Sequence, residues 1–125
     1  MKSVYFGIKY HPDNANKSII SEFEKCFAKH NLKSYCVARD MEKWGERSFS
    51  AKKIMQETFA KIDEVDLVVI DVSEKGVGLG IEAGYAKAKG KELIVTIKNG
   101  IEISTTIQGT ADKIITYNKV SEITF

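Results

Sequence analysis

Five short apolar runs, alternating with stretches of helical spacing, constrain the fold of this chain more than any other feature. The runs fall at residues 3–8, 34–38, 67–70, 93–97 and 113–117. Between the first two, Ile19, Ile20, Phe23, Cys26 and Phe27 recur every three or four positions among Lys and Glu, which predicts an amphipathic helix over about residues 15–31. Ile54, Met55, Phe59 and Ile62 mark a second helix. A third follows Gly76-Val77-Gly78-Leu79-Gly80 and runs to about Lys89, with Gly90 in position to cap it. A short helix near 104–110 and a helical turn at 119–123 complete the pattern. Leu67-Val68-Val69-Ile70 is apolar at every position, as a central strand covered on both faces must be.

Strands and helices in strict alternation, joined by short connections, give parallel strands and right-handed crossovers. The expected fold is α/β: a flavodoxin-like, doubly wound, five-stranded parallel sheet in the order 2-1-3-4-5. Strands 1 and 3 then lie side by side, and the chain winds away from them in opposite directions. The loops at their C-terminal ends splay apart and leave a crevice. Residues 7–13 and 71–82 would build that crevice, and residues 39–48 of the polar loop that runs from Arg39 to Ser50 could lean over it. The 125 residues, 43% of them hydrophobic, suit one domain spanning residues 1–125.

Composition narrows the function classes. The 19 Lys+Arg and 17 Asp+Glu leave a net charge of +2, and they are mixed along the chain with no basic block. A nucleic acid polymer is therefore not the expected partner. No apolar run approaches the ~20 residues of a membrane span, and the start, broken early by Gly7, does not read as a signal peptide. Cys26 and Cys36 are expected to be reduced thiols in a cytoplasmic protein. His11 and His30 stand in no ligand pattern, so no metal is expected.

The segment from Asp71 to Glu82 carries the chemistry. Gly76, Gly78 and Gly80 would let backbone approach a ligand and would leave N–H groups free at a helix N-terminus. The same glycines also serve tight packing. They do not form a dinucleotide fingerprint, which belongs after the first strand. Glu82 falls in the first or second helical turn, where an acid commonly stabilises the helix dipole. Its neighbours Ala83, Gly84 and Ala86 are small, so this helix packs closely on the sheet and Glu82 is expected to point into the crevice. A carboxylate there could attack an acetal-like carbon or stabilise an oxocarbenium ion.

Gly78-Leu79-Gly80-Ile81-Glu82-Ala83-Gly84-Tyr85-Ala86 with Gly90-Lys91, the first strand Val4-Tyr5-Phe6-Gly7, and Ile103-Ser104-Thr105-Thr106-Ile107-Gln108-Gly109 together resemble the nucleoside 2-deoxyribosyltransferase family, which includes the deoxynucleoside monophosphate N-hydrolases. The resemblance covers most of the chain in order. It implies that Glu82 is the nucleophile at the sugar's anomeric carbon and that Tyr5 orients it. It implies that Gly7 faces the ligand, and that Ser104 reaches a neighbouring subunit's site in a homodimer or larger even oligomer. No cofactor is implied. The chain departs from the family in two places. Thr58 stands where the family commonly has an Asp that assists the leaving base, and a Thr cannot be a general acid at neutral pH. Glu57 is next to it but about 100° away around the helix. Gly76 stands where a Ser or Asp holds the 5′ group. The Gly-, Ser- and Arg-rich phosphate loop of the hydrolases is also missing; the chain reads Ile8-Lys9-Tyr10-His11.

Substitutes are expected in the loop after the second strand, where Asp40 could protonate or hydrogen-bond a base edge and Trp44 could stack on it. Folded back on the core, Trp44 would do neither. Lys9 and His11 could meet a phosphate or be ordinary surface cations. Asp71, ending the third strand, belongs to the candidate ligand-facing set. The expectation is cleavage or transfer of a nucleoside or nucleotide N-glycosidic bond through a covalent intermediate on Glu82. The alternative is a non-catalytic nucleotide-binding or sensing domain. A phosphoacceptor receiver could use Asp71, but the chain has no acidic pair after strand 1 and no clear Lys at the end of strand 5. A flavin site lacks its hydroxyl-rich loop after strand 1.

Overall fold

A computed structural model of the chain describes residues 2–125. Five strands form the sheet: β1 (Lys2–Gly7), β2 (Leu32–Tyr35), β3 (Leu67–Asp71), β4 (Glu92–Lys98) and β5 (Lys113–Tyr117). Four helices connect them: α1 (Lys17–Lys29), α2 (Ala51–Glu64), α3 (Val77–Ala88) and α4 (Thr105–Thr110). The strand order is β2-β1-β3-β4-β5, and every pairing is parallel. This is the flavodoxin-like arrangement that the alternation implies, with the switch in winding direction between β1 and β3.

Side chains alternate across the sheet and split the core in two. On one face Val4 and Phe6 of β1 and Val69 of β3 pack with Phe23 and Phe27 of α1. The rings of Phe6 and Phe23 lie 4.6 Å apart, centre to centre. On the other face Tyr5, Val68, Ile70, Leu93 and Val95 meet Ile62 of α2 and Leu79, Ala83 and Ala86 of α3. All five residues of β3 are buried, as its unbroken apolar run requires. Cys26 and Cys36 are both buried and unbridged.

Three boundaries differ from the sequence expectation, each for a tertiary reason. The second strand lies at Leu32–Tyr35, not 34–38, because Val37–Met41 closes a π-helical turn. Asp40 Oδ2 accepts the Cys36 N–H at 2.9 Å, and Arg39 donates to the Ser34 carbonyl at 2.7 Å, which draws the chain out of the sheet. The first helix starts at Lys17, after Asn14 adopts a left-handed φ of 59° and Asp13 accepts the Ala15 N–H. The glycine-rich stretch is mostly helix: Gly76 is the N-cap, while Gly78 and Gly80 lie inside α3. Gly90, with φ at 71°, does follow the end of that helix.

Candidate active site

The apolar stripe of α3 runs through Leu79, Ala83 and Ala86. Glu82 stands three residues after Leu79 and four before Ala86, so it shares that core-facing side and points back at β1. There the Tyr5 hydroxyl, on a side chain only 2% exposed, donates to Glu82 Oε1. Two glycines make room for the carboxylate. A Cβ on Gly7 would sit 3.2 Å from Glu82 Oε1, and one on Gly78 would sit 4.0 Å from Oε2. No other side chain bonds to Glu82 among the described residues. Burial therefore pushes its pKa up to about 7, with the Tyr5 hydrogen bond pulling the other way. Tyr5 in turn is raised well above the ordinary phenol, first by burial and then by the Glu82 charge.

Two cavities adjoin at this carboxylate. One, of about 150 Å³, lies between β1, the segment after β2 and α2; Tyr5, Val37, Glu42, Ile54, Met55 and Thr58 contribute to its wall. The other, of about 220 Å³, opens toward the start of α3, against Lys9, Gly76, Gly78 and Leu79. Ile8, Tyr10 and Glu82 line both. The first is largely apolar with a few polar groups. The second offers an ammonium beside the positive end of a twelve-residue helix.

Of the residues singled out in the sequence, Tyr5, Gly7, Lys9, Gly76, Gly78 and Glu82 come together here. Gly80 has open space around it and, with Ser104, lines a separate groove of about 440 Å³ between α3 and α4. Gly76 and Leu79 border that groove too, so it begins where the site ends. Ser104 is the N-cap of α4, its hydroxyl accepting the Ile107 N–H. Asp71 is 2% exposed and already occupied: Tyr117 OH at 2.7 Å, Thr96 Oγ1 at 2.8 Å and the Ser73 N–H all donate to it. It ties β3 to β4 and β5 and reaches only a 90 Å³ recess shared with Lys9.

Asp40 and Trp44 do not line either cavity at Glu82. Burial alone would raise Asp40, but the Arg39 guanidinium at 2.7 Å and the Cys36 N–H outweigh it and hold the carboxyl below its usual range. Trp44 takes a left-handed φ of 59°, packs against the aromatic core and carries the Lys17 ammonium 4.9 Å from its ring. The residues of this segment that do line the 150 Å³ cavity are Val37, Ala38 and Glu42. Glu42 escaped the sequence reading because nothing in the order Arg39-Asp40-Met41-Glu42 says that Asp40 pairs back onto Arg39. Thr58 is 2% exposed and lines the same cavity, and Glu57 does not.

Neither a protein-family model nor a curated protein matches the sequence. Solved structures do match the fold. A 2-deoxyribosyltransferase from Bacillus psychrosaccharolyticus superposes with a TM-score of 0.78 at 15% identity, covering 98% of this chain and 93% of that one. The CMP N-glycosidase BcmB of Clostridium botulinum gives 0.68 at 20% identity, covering 97% and 93%. A 2-desoxiribosyltransferase from Leishmania mexicana gives 0.64 at 19%, covering 86% and 77%. The chain has the nucleoside 2-deoxyribosyltransferase fold. Motif resemblance and backbone similarity thus arrive independently at one architecture.

Proposed function

We propose that this protein cleaves or transfers the N-glycosidic bond of a nucleoside or nucleotide, with Glu82 as the nucleophile. The observation that carries the reading is a carboxylate held by a buried tyrosine at the junction of two cavities. The apolar cavity suits a base. The cavity at the start of α3 suits the sugar and its 5′ end, with Lys9 and the backbone N–H groups of the helix offered to a hydroxyl or phosphate. Glu82 Oε would attack C1′, and the C1′–N electron pair would leave with the base. Water or a second base would then take the sugar from Glu82. No cofactor is called for. The 2-deoxyribosyltransferases and the CMP N-glycosidase of similar fold support this class of bond.

The reading includes a homodimer or larger even oligomer in a cytoplasmic setting. Val77, 84% exposed, lines the α3–α4 groove that holds Ser104, and Ile81, 49% exposed, follows one turn later on α3, so a second copy seated there would cover apolar surface and bring Ser104 near a neighbour's sugar site. A panel of deoxy- and ribonucleosides and their monophosphates, followed chromatographically for free base, tests the chemistry. Base release that disappears in Glu82→Ala is expected; release unchanged in that variant rejects it. The observation favouring a binding-only role is Thr58, a neutral group in the base-sized cavity. Nucleotide binding by calorimetry with no base released would support that second reading.

A further inference from the structure

Breaking a C1′–N bond leaves an electron pair on the base, and an acid that protonates the base as it departs lowers that barrier. That proton must come from the wall of the base-sized cavity. Its titratable side chains are Tyr5 from β1, Tyr10 from the following loop, Cys36 and Glu42 from the segment after β2, and Glu82 from α3; α2 contributes only neutral groups. Four of the five are committed or unsuitable. Tyr5 donates to Glu82, and Tyr10 donates to Asn14 Oδ1 at 3.0 Å. The Cys36 thiol is pushed up to about 11 by burial. Glu82 is the nucleophile.

Glu42 differs from all of these. Its carboxyl has no hydrogen bond and no ion pair among the described residues, while its backbone is fixed at three points. Its N–H donates to the Val37 carbonyl at 2.9 Å, and its own carbonyl accepts from Gly45 and Arg47, both at 3.0 Å. Thus the main chain is rigid and the acid on it is left uncommitted. We propose that Glu42 is the proton donor to the departing base, an inference that rests on the N-glycosidic reading above. Burial also pushes this carboxyl upward, which favours the form that has a proton to give. The adjacent Lys43 is exposed.

The step balances without any further reagent but water. Glu82 Oε bonds to C1′, the C1′–N pair moves onto the base nitrogen, and the Glu42 proton passes to the base. Water then bonds to C1′ and gives a proton to Glu42, and the C1′–Oε pair returns to Glu82. Both carboxyls end as they began.

The test compares base release from a purine 2′-deoxynucleoside and from its 7-methyl derivative, whose base leaves as a neutral molecule and needs no proton. Glu42→Gln is expected to lose at least about 100-fold in kcat on the first and to stay within a few-fold of wild type on the second. Glu42→Asp, which keeps a proton to give, should recover a substantial part of the lost rate on the first substrate. Equal loss on both substrates from a Glu42→Gln protein that melts like wild type, or no loss on either, overturns the proposal. Glu82→Ala separates the two claims. If it is inactive on both substrates while Glu42→Gln shows no selectivity, only the role of Glu42 falls. If it is active, or if wild type releases neither base, the underlying reading falls as well.

Discussion

At the scale of single residues, the position of Glu82 on the packed stripe of α3 is the informative fact. A charged group on a core-facing side costs stability, and here the cost has a calculable sign. The folded protein holds the Glu82 proton up to about pH 7, whereas an unfolded chain releases it near the ordinary 4.5. The contribution of that proton to stability is therefore complete below about pH 4.5 and is lost as pH rises through 7. Glu82→Gln, which keeps the shape and removes the charge, should abolish turnover and raise stability at pH 8 by about 1–2 kcal/mol, read by urea unfolding. Tyr5→Phe removes the one hydrogen bond that favours the ionised form. The rising limb of the rate profile, near pH 7 in wild type, should move to higher pH in that variant. Gly7→Ala places a methyl group 3.2 Å from Glu82 Oε1 and should reduce kcat well beyond any change in melting temperature. Glu82 was legible because it rests on local pattern, small residues at helical spacing around one acid, whereas Tyr5 was suggested only by the resemblance of the first strand to the family.

At the scale of elements, the segment after β2 decides what the base-sized cavity contains. Its fold hangs on Arg39, whose guanidinium reaches Glu24, Asp40 and the Ser34 carbonyl. Arg39→Ala should destabilise the protein by about 1–3 kcal/mol in urea titrations. It should also raise KM more than it lowers kcat, since the cavity wall loosens while Glu82 and Tyr5 stay in place. None of this was legible in sequence. In sequence Asp40 reads as a group free to meet a base edge, and only the partners of Arg39 on α1 and β2 make Arg39-Asp40 a clamp that removes Asp40 from the site. Glu42 and the displaced Trp44 follow from the same clamp. The glycine-rich stretch was misread for a related reason: three glycines suggest a loop, but tertiary packing through Leu79 and Ala83 carries helix across Gly78 and Gly80.

At the scale of the whole molecule, the strand order follows from alternation alone, because parallel strands with right-handed crossovers leave few arrangements for five of them. Asp71 shows what that order requires. The buried carboxylate joins three strands through Thr96 and Tyr117, so Asp71→Ala leaves two buried hydroxyls without their acceptor. We expect about 2–4 kcal/mol of lost stability by chemical denaturation and no change in which base is released. The groove between α3 and α4 belongs to this scale as well: in the proposed assembly a second copy would cover the exposed Val77 and Ile81 and meet Ser104, which within one chain caps α4.

The central claim is a covalent bond between Glu82 and a sugar. A nucleoside analogue with fluorine at C2′, which slows the second step more than the first, should trap it. Intact-mass spectrometry is expected to show one added fluoroglycosyl group per chain, and peptide mapping should locate it at Glu82. Release of base by a protein that never gains this mass, or gains it at another residue, would contradict the account.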